Sequence, residues 1–102
     1  MKHTRQIDFE AINLAALGRL PELCARWLPD GRRHGFEYLA RNPLRADRHV
    51  GSFKINLRTG RWADFATDAR GGDVVSLAAY LSGLSQIDAA RRLADMLGVR
   101  HG

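Results

Sequence analysis

The chain has 102 residues, 45% of them hydrophobic and 26% charged, which suits one modestly sized core and a single domain. A lone Cys24 excludes an internal disulfide framework and any multi-cysteine zinc site and fits a reducing, cytoplasmic setting. No apolar run approaches the roughly 20 residues of a bilayer span, and residues 1–8 lack the apolar core of a signal peptide. The net charge is +5, but residues 31–61 hold Arg32, Arg33, Arg41, Arg45, Arg48, Lys54, Arg58 and Arg61 against only Glu37 and Asp47, so that segment carries +6 and the rest −1.

The punctuation of the chain predicts its elements. Asp8 caps a first helix over residues 9–17, with Phe9, Ile12, Ala16 and Leu17 on one face and Gly18 as its stop. Pro21 opens a second helix over 21–28, where Leu20, Leu23, Cys24 and Trp27 recur at helical spacing. After the Pro29-Asp30-Gly31 turn, residues 35–40 read as a first strand, broken by Asn42-Pro43 and followed by a basic loop over 43–50. In residues 51–57 Phe53, Ile55 and Leu57 alternate with Ser52, Lys54 and Asn56, the period of a half-buried strand. Arg58-Thr59-Gly60 reverses the chain, with Gly60 free to take positive φ, and residues 61–65 form the returning strand. Gly71-Gly72 leads to Asp73, the N-cap of a helix over 74–81 that Gly83 stops. Ser85 with Asp88 starts a last helix over 86–97, ended by Gly98, with Ile87, Ala90, Ala94 and Leu97 as its apolar stripe. The sum is a small α+β fold: two helices, a three-stranded antiparallel sheet, two helices. One domain spans residues 1–102, with a helical part at 1–30, a basic sheet at 31–70 and a helix pair at 71–102.

The segregated charge points to a polyanion. Seven of the eight cations in the basic segment are arginines, which contact phosphate bidentately and stack on bases. Lys54, Arg58 and Arg61 crowd one hairpin with Phe53, Trp62 and Phe65, and cations beside flat rings are what a nucleic-acid strand requires. Trp62 and Phe65 are three residues apart on a strand and so point to opposite faces, one into the core and one toward a base; alternation alone leaves open which is which. No Ser/His/Asp or Cys/His arrangement, P-loop or carboxylate cluster supports catalysis. Asp64, Asp68 and Asp73 read as strand-edge, turn and cap residues, and Cys24 as a small core residue.

Four motifs carry a family resemblance: Asn42-Pro43-Leu44-Arg45-Ala46-Asp47, Gly51-Ser52-Phe53-Lys54-Ile55-Asn56, the run from Thr59 to Ala66 (Thr-Gly-Arg-Trp-Ala-Asp-Phe-Ala), and Gly71-Gly72-Asp73. Together with the two closing helices they make somewhat more than half the chain similar to the N-terminal zinc-ribbon domain of DNA primases, in the versions found in primase–helicases of phages, plasmids and integrated elements. The family's zinc-ligand pairs would fall at about Pro43 and Ala46 and at Asp64 and Thr67, where only Asp64 resembles a ligand, so the ribbon hairpin is expected without its zinc and without any cofactor. A regrouped site from His34, Asp47, His49 and Asp64 is the weaker possibility.

The resemblance implies a non-catalytic nucleic-acid-binding module of a phage or mobile-element replication system. Its partners would be nucleic acid, single-stranded DNA favoured, and a primase, helicase or polymerase that carries the catalysis; no membrane is involved. The expected contact residues are Arg41, Arg45, Arg48, Lys54, Arg58, Arg61, Trp62 and Arg70. The alternative is a protein-interaction adaptor that docks a replication protein through the apolar faces of segment 14–17 and of the 77–81 helix, without binding nucleic acid.

Overall fold

The computed structural model describes residues 7–44 and 51–99. Two helices, a five-stranded antiparallel sheet and two further helices follow one another along the chain. Helix α1 (Phe9–Leu17) opens where the Asp8 carboxylate accepts the Ala11 N–H at 3.0 Å, satisfying one of the free donors of the first turn. Helix α2 (Leu20–Trp27) has Pro21 in its first turn, where the missing N–H breaks no helical bond. Ile12 and Ala16 of α1 and Leu20, Leu23 and Cys24 of α2 are buried.

The sheet is a meander of β1 (Arg32–His34), β2 (Glu37–Ala40), β3 (Phe53–Asn56), β4 (Trp62–Asp64) and β5 (Arg70–Gly71). It has five strands, not the three that the sequence pattern predicts. Residues 32–34 (Arg-Arg-His) are exposed throughout, so an edge strand forms there with no alternation to announce it. The predicted single strand over 35–40 is instead the tip and second arm of a hairpin: His34 pairs with Glu37, and the two-residue loop begins at Gly35 with φ +64°. That is the loop length and glycine position of a type II′ reversal. The other missed strand, β5, is two residues long and too short to show a period.

Register decides the faces. Tyr38 and Ala40 pair with Ile55 and Phe53, which pair in turn with Trp62 and Asp64. Successive residues alternate across a sheet, so these six share the inner face, and all six are buried. Leu39, Lys54, Ala63 and Arg70 form the corresponding row on the outer face.

Helix α3 (Val74–Ser82) lies beneath the inner face and α4 (Gln86–Leu97) packs on α3 and α1. Both end at glycines in the left-handed region, Gly83 at φ +69° and Gly98 at φ +72°. On α4 the buried stripe is Ala89, Ala90, Leu93 and Ala94; Ile87, expected in that stripe, is exposed in the first turn. No helix among the described residues is long and apolar enough to cross a membrane.

Tyr80 of α3 ties helix to sheet. Its ring lies 4.8 Å from that of Trp62 and 6.1 Å from that of Phe53, whose own ring is 5.8 Å from Trp62. Such offset aromatic contacts add about 0.5–1.5 kcal/mol each beyond the area they bury. The polar tips are also partnered: Asn42 Nδ2 donates to Tyr80 Oη at 2.8 Å and to Asp64 Oδ2 at 2.7 Å, and Trp62 Nε1 donates to Ser76 Oγ at 2.9 Å. Gly71 sits against this last bond. A Cβ there would lie 2.3 Å from Ser76 Oγ and 2.5 Å from Trp62 Nε1, whereas at Gly72 it would meet nothing within 4 Å. Gly71→Ala is therefore expected to destabilise the fold by about 1–3 kcal/mol and Gly72→Ala to leave it nearly unchanged, as read by urea denaturation.

Candidate nucleic-acid interface

Lys54, Asn56 and Ala63 alternate with the buried residues of β3 and β4 and lie on the outer face of the sheet. That face holds a shallow groove of about 540 Å³, lined by Glu37, Asn56, Lys54, Arg61, Phe65 and Arg70, with the edge of Trp62 and the Gly71-Gly72 backbone along one side. Lys54 lies in the middle strand, and its Nζ stands 5.2 Å from the centre of the Phe65 ring, a cation–π contact. Phe65 is nevertheless 69% exposed. Its N–H donates to the Ser52 carbonyl at 2.7 Å, continuing the β3–β4 ladder by one step and holding the ring on the outer face. The β3–β4 reversal is built by Asn56, whose Oδ1 accepts the N–H groups of Arg58 and Thr59 at 2.8 and 3.1 Å, and by Gly60 at φ +81°.

Of the residues expected to contact nucleic acid, the structure brings together Lys54, Arg61 and Arg70. Arg58 stands at the tip of the β3–β4 reversal, its guanidinium carbon 4.8 Å from the centre of the exposed Phe36 ring, outside the groove. Arg41 lies past the end of β2, and its Nη2 donates to Asp30 Oδ2 at 2.9 Å, an exposed pair that leaves less of its charge for a ligand. Arg45 and Arg48 lie outside the described residues. Trp62 is 5% exposed, with its ring among Phe53 and Tyr80, so it offers the groove an edge and no face on which a base could stack. Of the pair that alternation left undecided, Trp62 is the core residue and Phe65 the outer one; Phe53 is fully buried. Phe65, one of the rings expected to stack a base, lines the groove together with two residues outside every expectation of contact, Glu37 and Asn56. The β2–β3 register would have found the latter two, since it places them opposite one another.

Past the Gly71-Gly72 turn, the Asp73 N–H donates to Ser76 Oγ at 3.4 Å and the donors of the first turn of α3 are largely capped. Asp73 Oδ1 accepts the Ser76 N–H at 2.8 Å, Asn13 Oδ1 reaches from α1 to the Val75 N–H at 2.8 Å, and the Asp73 carbonyl takes the Leu77 N–H. These are cap contacts that fill the start of α3. Asp64, the one metal-ligand type at the ribbon positions, is buried and spent on hydrogen bonds from Asn42 Nδ2 and from the Ala66 N–H at 2.9 Å. Among the described residues no group of three or more His, Cys, Asp or Glu side chains is placed to hold a metal. The groove can thus offer cations, one exposed ring and two polar side chains, which is binding chemistry.

Cys24 is buried, and desolvation pushes its thiol up from the ordinary 9.0 to about 12. Tyr38 is raised above 10.0 by desolvation and by the nearby Cys24 and Asp30; its hydroxyl donates to the Leu28 carbonyl at 2.7 Å. Both groups favour the folded state while protonated. Their contribution is complete below the unfolded values and is lost as pH rises through the raised ones, so stability is expected to fall above about pH 9. Native Cys24 should resist alkylation by iodoacetamide at neutral pH and react once the chain is unfolded, which mass spectrometry reads directly. No protein-family model matches the chain, and no curated protein matches it.

Proposed function

We propose that the outer face of the sheet binds nucleic acid, with single-stranded DNA as the favoured ligand, and that the protein serves a replication primase or helicase as a non-catalytic recognition module. The observation that carries this reading is the juxtaposition of Lys54, Arg61 and Arg70 with the exposed Phe65 ring in one open groove. Three cations on a surface strip suit a phosphate backbone, and an unhindered ring suits a base that is not already stacked in a duplex. The resemblance to primase zinc ribbons supports the same reading, and Asp64, one of the four positions where that family's ligands would fall, accepts a hydrogen bond from Asn42 instead. Arg58 and Arg41, at opposite ends of the β2–β3 pair, extend the track beyond the groove.

A second reading has an observation of its own. Trp27, Pro43, Leu81, Leu84, Leu93 and Met96 line an apolar groove of about 350 Å³ beside α3 and α4, the kind of surface that docks a partner protein. Segment 14–17 contributes less to such a surface, because Ala16 is buried and Leu14 stands alone as its strongly exposed residue.

Fluorescence anisotropy with single-stranded and duplex oligonucleotides across a salt series separates the two. Neutralising three phosphates of a single strand predicts a slope of about −2 for log K against log salt, falling by more than half in the Lys54→Ala/Arg61→Ala double variant. Phe65→Ala is expected to weaken single-strand binding by about 1–3 kcal/mol. Absence of binding at low salt would leave the docking groove as the functional surface.

A further inference from the structure

We propose that Glu37 gives the outer face a preference for guanine-bearing single strands, an inference that rests on the reading of that face as a nucleic-acid surface. Glu37 is the one carboxylate among the described residues that line the groove, where the other charges are Lys54, Arg61 and Arg70. It is exposed on β2, opposite Asn56 on β3 and His34 on β1, and its carboxylate makes no hydrogen bond or ion pair with a described residue. In the path of a phosphate backbone such a group is repulsive. It becomes favourable only where the ligand presents hydrogen-bond donors.

Asn56 sharpens the requirement. Its Oδ1 is taken by the N–H groups of Arg58 and Thr59, so its Nδ2 donor is what the side chain shows to the groove. The pair therefore offers one donor beside two acceptor oxygens. The Watson–Crick edge of guanine is the complement: O6 accepts, and N1–H and N2–H donate side by side to a carboxylate. Cytosine and adenine each bring a single amino group to that edge, and thymine a lone N3–H between two carbonyls, so each leaves part of the pair unmatched. In a duplex this edge is already paired, and the same contact thus favours single strands. Phe65 and Glu37 are far apart on the sheet. Phe65 is bonded at Ser52 and Glu37 pairs with Asn56, four residues along β3, roughly 13 Å at strand rise. The stacked base and the base that meets Glu37 belong to different nucleotides, with Lys54 between them.

The test compares labelled oligodeoxythymidine, oligodeoxycytidine and a mixed deoxyguanosine–deoxythymidine strand, each with the wild-type chain and with Glu37→Gln. The guanine-bearing strand is expected to bind at least about fivefold more tightly than oligodeoxythymidine. Glu37→Gln should erase that difference while strengthening oligodeoxythymidine binding, since it removes a repulsive charge. Replacing deoxyguanosine by deoxyinosine, which lacks the N2 amine, should lose part of the preference. Equal affinity for all strands, or a guanine preference that survives Glu37→Gln, would overturn the inference and leave the nucleic-acid reading standing. Failure to bind any of the strands would overturn both.

Discussion

The seating of Tyr80 against the Phe53–Trp62 pair, with Asn42 bridging Tyr80 to Asp64, is the contact on which the rest of the molecule depends. It fixes which side of β3 and β4 faces α3. A slip of one residue in either strand would turn Lys54, Arg61 and Phe65 inward and carry Phe53 and Trp62 into water, exchanging every side chain between the faces. Burial of two aromatic rings and a satisfied polar network opposes that slip. The groove's composition is thus a consequence of the core: each residue that alternates with a core residue on β3 and β4 is available to a ligand.

Much of this order is legible in the chain because the relevant signals are local. The caps at Asp8, Asp73 and Ser85 and the stops at Gly83 and Gly98 mark three helices within a residue of their bounds, since a cap is a contact between neighbours in sequence. The alternation of Phe53 and Ile55 with Lys54 and Asn56 marks β3 for the same reason. What is not legible depends on partners distant in sequence. β1 has no apolar alternation and exists because β2 pairs with it, while β5 is two residues held to β4. Ile87 has helical spacing with Ala90 and Ala94, yet the face that meets α3 and α1 runs through Ala89 and Leu93. Whether Trp62 or Phe65 turns inward is set by Ser76 and Tyr80, far along the chain.

Under the proposed kinship with primase zinc ribbons, the chemistry of the β-hairpin base has been exchanged. At Asp64, one of the four positions where ligands would converge on an ion, the chain has a buried hydrogen bond from the Asn42 amide, and the hairpin rings Phe53 and Trp62 pack on Tyr80 of α3. Metal ligation would hold a hairpin with little core. Here the contacts of Phe53 and Trp62 with Tyr80 of α3 serve that purpose.

The central claim is that ligand and core occupy opposite faces of one sheet. It is tested most directly by titrating the isotope-labelled protein with single-stranded DNA and mapping amide shift changes by two-dimensional NMR. Changes concentrated at Glu37, Lys54, Asn56, Ala63, Phe65 and Arg70, with α3 and α4 largely still, are the predicted result. Changes confined to the surface around Leu81, Leu93 and Met96, or none anywhere, would contradict it.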